Sequence, residues 1–440
     1  DKIYLNASGR NDFVSNMPVD NRSFFYPSVG TSFVLTNMFP KLETTMSFAK
    51  IRASWAEVGQ AGPLFVNGTG FVSNNPGGFN FPFNGIASFS QQTTRINPEL
   101  GPENTKSYEL GFDFRFFNDR LSIDYTYFNS KSEGQIFQVP LPLSTGAQEE
   151  IRNAGEISSK GHEVILSLIP IRNESFTWNL ITNFNTIDNK VVSLAEGVNR
   201  IGINEAIVAE KGFDYPSILG QSYIKDPSSG QTIIESDPNK AGYGFPILDT
   251  ERKIIGSVPP DFEMNFINSF TYKDLSLSFQ IDWRSGGQMF SNSFVETRWR
   301  GLAGVTRDRE EEVILPGVNG TLSNGNLVIS GTNNIPVKKD YNYYNTIGFF
   351  NATEQSVQDA SFVRFREITI NYNLPESLFG KTLVKSGSIY FSGRNLFLIT
   401  DSFTDPEVNF TDGRSSNTAG LERSQIPQTK SVGIGVRVKF

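Results

Sequence analysis

Apolar and polar residues alternate with a period of two along most of this 440-residue chain. In Leu275–Arg284 (LSLSFQIDWR) every odd-numbered residue is apolar and every even-numbered residue is polar. Tyr108–Phe116 and Val432–Phe440 show the same alternation. Because successive side chains of a strand point to opposite faces, this period predicts an all-β protein whose sheets have one apolar and one polar face. No run approaches the ~18 consecutive apolar residues that a membrane-spanning helix requires.

The alternation predicts about twelve strands, each near the ~9–11 residues that a tilted membrane strand requires. They are Ile3–Arg10, Ser28–Thr36, Ser47–Glu57, Tyr108–Phe116, Leu121–Lys131, Gly161–Pro170, Phe176–Ile187, Phe262–Tyr272, Leu275–Arg284, Phe362–Leu374, Gly387–Leu398 and Ser431–Phe440. We expect these strands to be antiparallel, as in a transmembrane barrel.

Short and long connections alternate between these strands. The short or medium ones are Asn37–Met46, Asn118–Asp119, Ile171–Glu174, Lys273–Asp274 and Pro375–Ser386. The long ones are Asn11–Pro27, Val58–Thr105, Ser132–Lys160, Asp188–Asp261, Ser285–Ser361 and Thr400–Lys430. A soluble sandwich gives no reason to collect every long loop at one end. An antiparallel transmembrane β-barrel does, because its periplasmic turns are short and its extracellular loops long. The pattern therefore favours a barrel with both chain ends on the periplasmic side.

Composition narrows the function. The chain has no Cys, a single His and a net charge of −7. The missing Cys excludes disulfides, thiolate nucleophiles and Cys-based zinc sites, and one His disfavours His-based metal clusters and catalysis. A nucleic-acid partner requires a basic surface, which this charge disfavours. We predict no catalytic residue, no metal site, no cofactor and no nucleic-acid partner.

Three blocks resemble the SusC/RagA family of TonB-dependent outer-membrane transporters. The first is Asn97–Leu100 followed by Glu103–Phe114 (ENTKSYELGFDF), and the second is Asp359–Pro375 (DASFVRFREITINYNLP). The third is Ser392–Thr400 (SGRNLFLIT) followed by Asp405–Glu407 (DPE). The combination, in this order, resembles the carboxy-terminal part of the family's barrel.

The resemblance implies that residues 1–440 supply about twelve of ~22 barrel strands. The chain then begins mid-protein, with the plug and amino-terminal domains outside it, and its first and last strands are expected not to pair with each other. The implied function is import of glycan or peptide nutrients in the outer membrane, in contact with its lipid. A SusD-like surface lipoprotein lid and the TonB complex, acting through the amino-terminal part, are the implied partners.

Three alternatives remain open from the residues. A siderophore or cobalamin receptor of the TonB class shares the same fold. A barrel-type surface anchor or assembly component transports nothing. A soluble all-β lectin or glycosidase is the third.

Two sets of loop residues are candidates for ligand contact. Aromatic residues present faces on which sugars stack, and the predicted substrate-binding residues are Trp299, Tyr341, Tyr343 and Tyr344. Four carboxylates in the last long loop are candidate calcium ligands, although their spacing does not match an EF-hand. They are Asp401, Asp405, Glu407 and Asp412.

Overall fold

One large antiparallel sheet organises the chain. The computed structural model describes residues 1–62, 71–73, 85–87, 89–323, 325–345, 348–380, 383–408 and 419–440. The sheet contains twelve long strands in the same order as in the sequence. We number them β1 (Ile3–Phe13), β2 (Ser23–Val34), β3 (Met46–Gln60), β4 (Glu103–Phe116), β5 (Leu121–Pro140), β6 (Glu149–Arg172), β7 (Phe176–Leu194), β8 (Phe262–Tyr272), β9 (Leu275–Ser285), β10 (Phe362–Asn373), β11 (Ser386–Ile399) and β12 (Ser431–Lys439).

All twelve predicted strands are therefore present, but two predicted long connections are wrong. Residues 14–22, rather than Asn11–Pro27, join β1 to β2. β5 continues to Pro140 and β6 begins at Glu149, so only 141–148 join them, rather than Ser132–Lys160. Beyond Lys131 the paired residues include Glu133 and Glu156, which lie opposite each other. Register shifts on both sides of Gln135 interrupt the period of two there, so the alternation ends although the backbone pairing continues.

The two faces of the sheet differ as the alternation predicts. Residues directly opposite each other on paired strands share a face. Phe279 lies opposite Asn268 of β8 and Ile368 of β10, and its ring stacks at 6.1 Å from Phe270 and 6.0 Å from Phe365. The apolar side chains thus form a continuous layer across neighbouring strands, on the face opposite the polar side chains.

Short turns connect the strands at one end of the sheet. The turn between β4 and β5 holds three consecutive non-glycine residues with left-handed φ, namely Phe117 (54°), Asn118 (54°) and Asp119 (61°). Lys273, in the two-residue turn between β8 and β9, has a φ of 49°. Positive φ at such positions matches the right-handed twist of the flanking strands.

The long segments 195–261, 286–361 and 400–430 carry most of the buried core. Their short strands form a four-stranded sheet of Arg200–Gly202, Ile207–Glu210, Ser217–Gly220 and Lys253–Ser257, and a three-stranded sheet of Ile233–Glu235, Val318–Ser323 and Asn326–Thr332. A third sheet combines Val357–Asp359, Gln288–Ser291 and Leu421–Glu422. Smaller pairings join Glu312–Ile314 with Pro336–Lys338, Phe71–Ser73 with Phe89–Gln91, and Thr94–Ile96 with β6.

Helices are few and short. They are α1 (Leu35–Met38), α2 (Asn292–Trp299) and α3 (Tyr341–Tyr344), with 3-10 turns at Val19–Asn21, Pro40–Thr44, Leu143–Thr145, Gly304–Thr306, Thr353–Ser356 and Glu376–Leu378. Among the described residues, none of these helices has the length and apolar character needed to cross a bilayer.

The large sheet is open at both ends. Within the described residues, β1 pairs only with β2, and β12 pairs only with β11. This confirms the expectation that the first and last strands do not pair with each other.

Candidate functional site: the polar face and the loops above it

A break in the alternation of β10 creates a cluster of charge on the polar face. Val363 and Phe365 are apolar at odd positions, whereas Ile368 and Ile370 are apolar at even positions. The register with β9 shifts at this point, because Gln280 lies opposite Glu367 and Ile281 opposite Phe365. Such a bulge redirects a side chain. It brings Arg366 onto the polar face of the sheet, beside Asp282 of β9.

Arg364 and Arg366 of β10 bind three carboxylates. Arg364 donates from Nη2 to Asp405 at 2.5 Å, and its Nε lies 2.6 Å from a Glu407 oxygen. Arg366 donates from Nε to Asp282 and from Nη2 to Glu407, both at 2.5 Å. Arg364 and Asp405 are almost completely buried. We call these five residues the arginine clamp.

The arginine clamp fastens the last long loop to the polar face. Asp405 and Glu407 belong to the segment that follows β11, and Asp282 belongs to β9. The returning leg of the same loop joins them, since Gln428 donates its backbone N–H to Asp405 at 3.3 Å and its side-chain N–H to Glu407 at 3.1 Å. Both legs of this loop are therefore held against the inner surface of the sheet.

The clamp accounts for two of the four carboxylates considered as calcium ligands. Asp405 and Glu407 are paired with guanidinium groups, and Asp412 lies outside the described residues. Across the described part of the chain, no three His, Cys, Asp or Glu residues are arranged to hold a metal ion. The DPE block is thus a structural anchor for the loop.

A cavity of about 620 Å³ lies on the polar face beside the clamp. Its wall runs across strands β3 to β10 and is lined mainly by charged and amide side chains, including Arg52, Asp124, Glu163, Asn183, Asn265, Asp282, Arg366 and Glu407. Arg52 donates to Asp124 at 2.6 Å and to Thr126 at 2.6 Å. The polar face is therefore a concave, hydrophilic surface on which the opposite charges are largely paired.

The predicted aromatic residues divide into two groups. Trp299, at the end of α2, donates from its indole nitrogen to the Tyr341 hydroxyl at 3.2 Å. Their exposed fractions are 47% and 67%. The start of α2 is fixed by Glu422, which accepts from the Ser293 backbone N–H at 3.1 Å and from the Ser291 hydroxyl at 2.8 Å. Trp299 and Tyr341 thus form an exposed pair on an anchored helix.

Tyr343 and Tyr344 lie in the loop core. They pack with Ile234, Phe245, Leu315, Val337 and Phe350, and only 7% and 4% of their surfaces are exposed. Protein atoms cover their ring faces, and this burial argues against the predicted contact of these two residues with substrate. For Trp299 and Tyr341 that interpretation remains a prediction.

The Tyr344 hydroxyl is bound to a charged pair. It donates to Asp308 at 3.1 Å, and Lys339 also bonds to Asp308. The hydrogen bond from Lys339 lowers the pKa of the Asp308 carboxyl, whereas burial raises the pKa of the Tyr344 hydroxyl. Asp308 therefore stays ionised and Tyr344 stays protonated near neutral pH, which keeps this hydrogen bond in place.

A large antiparallel sheet with an apolar outer face, a polar concave face and folded loops at one end defines the wall of an outer-membrane β-barrel. The chain belongs to the family described as "TonB dependent receptor-like, beta-barrel", whose model matches residues 1–396. It is an outer-membrane protein of the SusC/RagA type, with long extracellular loops and short periplasmic turns.

Similar proteins cover the whole chain. The TonB-dependent receptor P3 of Formosa agariphila is 28% identical over 100% of this chain and 44% of its own length. The TonB-dependent receptor SusC of Bacteroides thetaiotaomicron is 22% identical over 98% of this chain and 41% of its own length. A solved chain of the RagAB peptide transporter matches with a TM-score of 0.74 and 20% identity, over 100% of this chain and 46% of its own length.

These comparisons establish the fold and the family. The chain spans less than half the length of the relatives it matches. Membership in a family of membrane receptor barrels excludes the soluble lectin or glycosidase alternative.

Proposed function

We propose that this chain forms part of the wall of a TonB-dependent importer of glycan or peptide nutrients. The observation that carries the proposal is the hydrophilic cavity of about 620 Å³ on the concave face, in a chain whose family consists of receptor barrels. The hydroxyl or amide groups of a hydrated solute prevent it from entering the hydrocarbon layer of a membrane. A polar barrel lumen lets such a solute cross.

In this proposal residues 1–440 supply the carboxy-terminal part of a larger barrel. β1 and β12 each have an unpaired edge within the described residues. An unpaired backbone group in lipid costs several kcal/mol, so both edges require further strands. The remaining strands, the plug and the segment that contacts TonB then come from other parts of the complete receptor.

We propose a SusD-like surface lipoprotein as the lid of this importer. The support is the similarity to SusC and to the RagAB transporter, together with the ordered loop surface. The loop core around Ile234, Tyr343 and Phe350 gives the extracellular segments a defined shape. A permanent complex on such a surface buries more than ~2,000 Å².

Trp299 and Tyr341 are the proposed substrate contacts. Both rings are exposed on the extracellular segments, and their mutual hydrogen bond orients them. Aromatic faces pack against the C–H faces of sugars and against apolar peptide side chains. The pair is thus compatible with either nutrient class.

Deletion of the gene for the full-length receptor tests the proposed function. Uptake of labelled oligosaccharides, peptides and ferric siderophores is compared in the deletion strain and in the complemented strain. We expect loss of oligosaccharide or peptide uptake, restored by complementation. Loss of siderophore uptake instead supports the siderophore-receptor alternative, and unchanged uptake of all three classes supports a surface anchor.

Purification in mild detergent tests the lid separately. The full-length receptor is isolated at several salt concentrations and its bound proteins are identified by mass analysis. A stoichiometric surface lipoprotein is expected. Recovery of the receptor alone under all these conditions contradicts this part of the proposal and leaves the transport experiment unaffected.

A further inference from the structure

The outward face of β3 to β7 changes from apolar to charged over four register rows. Rows are sets of residues that lie directly opposite one another across these five strands. The apolar row is Ile51, Phe112, Tyr125, Val164 and Phe184. Two residues further toward the loops, the next row on the same face is Ala53, Leu110, Tyr127, His162 and Thr186.

The first of the following two rows is aromatic at one edge, and the remaining positions of both rows are charged or polar. The first, which we call the aromatic row, contains Trp55, Tyr108, Asn129, Lys160 and Asp188. The second, the lysine row, contains Glu57, Lys106, Lys131, Ser158 and Lys190. Aromatic residues are enriched at the interface of a bilayer, at the level of the headgroups. The outer boundary of the membrane therefore lies at the aromatic row.

Charge is layered above that boundary. The aromatic and lysine rows together contain four lysines and two carboxylates, although the chain as a whole carries a net charge of −7. The next row outward contains Glu133 opposite Glu156. Excess positive charge thus lies next to the lipid-facing surface, and negative charge lies beyond it.

The lysine ammonium groups are held in place and remain accessible. Lys131 lies 3.1 Å from Glu133 and 3.0 Å from Glu156, and Lys106 lies 3.1 Å from Glu133. These side chains keep exposed fractions of 47% for Lys131 and 40% for Lys106. An ammonium group has three donors, so the carboxylates orient each lysine and leave N–H groups for another acceptor.

We propose that Lys106, Lys131, Lys160 and Lys190 bind the phosphate groups of phosphorylated lipid headgroups in the outer leaflet. Lipid phosphates lie immediately outside the hydrocarbon layer, at the height of these lysines, and the attraction is direct because both partners are charged. Lys160 and Lys190 lie 3.3 Å and 3.7 Å from Asp188, and their exposed fractions of 58% and 52% leave both side chains room to reach a headgroup as well. The site requires this face of the sheet to point outward to lipid, as it does in outer-membrane barrels. It does not depend on which substrate the receptor transports.

The test measures binding of lipid A to the purified full-length receptor. Native mass spectrometry compares bis-phosphorylated lipid A, enzymatically dephosphorylated lipid A and inorganic phosphate as a competitor. The variant Lys106→Gln, Lys131→Gln, Lys190→Gln removes three of the four cations without shortening the side chains greatly. We expect wild-type receptor to prefer the phosphorylated lipid, and affinity to fall about fivefold for each lysine removed.

A matched control uses three exposed lysines on the extracellular segments. Lys225→Gln, Lys253→Gln, Lys338→Gln is expected to bind lipid A as the wild type does, because these residues lie away from the lipid-facing strands. Folding of both variants is checked by heat-modifiable electrophoretic mobility. Equal binding by the lysine-row variant and the wild type overturns the proposal. So does equal binding of the dephosphorylated lipid, or competition by inorganic phosphate at concentrations comparable to the lipid.

Discussion

Arg364 shows how a single buried charge organises this molecule. Only 2% of its side chain is exposed, and it lies between Asp405 and Glu407 of the last long loop. Its partners lie about forty residues further along the chain. These ion pairs therefore form only when the last long loop folds inward against the sheet. A buried charge without its partner is unfavourable by several kcal/mol, which makes this residue a sensitive probe of the anchor.

We predict that Arg364→Leu destabilises the receptor by about 3–5 kcal/mol, because it leaves the buried Asp405 carboxylate without its cation, whereas Glu407 keeps Arg366. The matched control is Arg394→Leu on β11. Arg394 is 67% exposed and lies 3.7 Å from Glu367, so its loss costs less than about 1 kcal/mol. Urea unfolding of both variants in lipid vesicles measures the difference. Equal costs contradict the assignment of Arg364 as the buried anchor.

A second prediction concerns pH and the exposed aromatic pair. The Lys339 bond lowers the pKa of Asp308 in the folded loops. A carboxylate with a lowered folded-state pKa contributes stability that is fully present above its unfolded value of about 3.9 and is lost as pH falls through the lower folded value. Asp308 binds Tyr344 of α3, and Tyr341 of the same helix is bonded to Trp299. Trp299 fluorescence is therefore expected to stay constant from pH 7 to about pH 4 and to change only in stronger acid.

Two variants isolate this signal. Trp299→Phe provides the background to subtract, since the chain contains 4 Trp residues. Asp308→Asn removes the charge that Lys339 and Tyr344 bind, so its fluorescence at pH 7 should already resemble that of the wild type in acid. A change in the wild type between pH 6 and 5 is inconsistent with this assignment.

At the scale of elements, alternation predicted the strands well and their ends poorly. Leu275–Arg284 differs from the observed β9 by a single residue, because lipid on one side and water on the other impose the strict period that the sequence shows. β5 and β6 extend past the regular alternation, because register shifts at Gln135 interrupt the period of two. The additional pairs combine charged residues, such as Glu133 opposite Glu156, with buried apolar ones, such as Val139 and Ile157, and so follow no simple period.

The sequence of β10 contains a signal of its bulge. The stretch VRFREITI changes the parity of its apolar residues between Phe365 and Ile368, and such a change of phase indicates an extra residue in one strand. Strand alternation by itself does not identify Arg364 and Arg366 as site residues. Their partners Asp405 and Glu407 were noted only as possible calcium ligands, because pairing across forty residues has no local signature.

The third prediction tests the orientation of the strands. Phe279 belongs to the outward aromatic layer with Phe270 and Phe365, whereas Gln280 lies on the polar face and donates to Asp282 at 2.7 Å. Phe279→Arg is expected to cost ~2–4 kcal/mol near the bilayer midplane, and Gln280→Arg close to zero. Denaturant titration of the refolded receptor in lipid compares them. Equal costs rule out the lipid-facing assignment of Phe279.

At the scale of the whole molecule, the strand order followed from the sequence and the loop architecture did not. Neighbouring strands pair in chain order, so local turns specify the large sheet. The loop core depends on contacts between distant segments, as when Phe290 pairs with Leu421 or Ile233 with Val318. Burial from these contacts placed Tyr343 and Tyr344 inside the core, although their sequence position resembles that of the exposed Tyr341.

The last prediction concerns the direction of the molecule in the membrane. The long segments lie outside the cell and the turn at Lys273–Asp274 lies in the periplasm, because all the long loops extend from the same end of the sheet. The chain has 0 Cys, so single engineered cysteines report without background. Ser323→Cys and Asp274→Cys place the probes at exposed positions on opposite sides. In intact cells that express the full-length receptor, an impermeant thiol reagent is expected to label Ser323→Cys and to leave Asp274→Cys unmodified. Permeabilising the outer membrane should expose both positions, which shows that each cysteine is reactive. Labelling of Asp274→Cys alone in intact cells reverses the assigned direction, and with it the assignment of the lysine row to the outer leaflet.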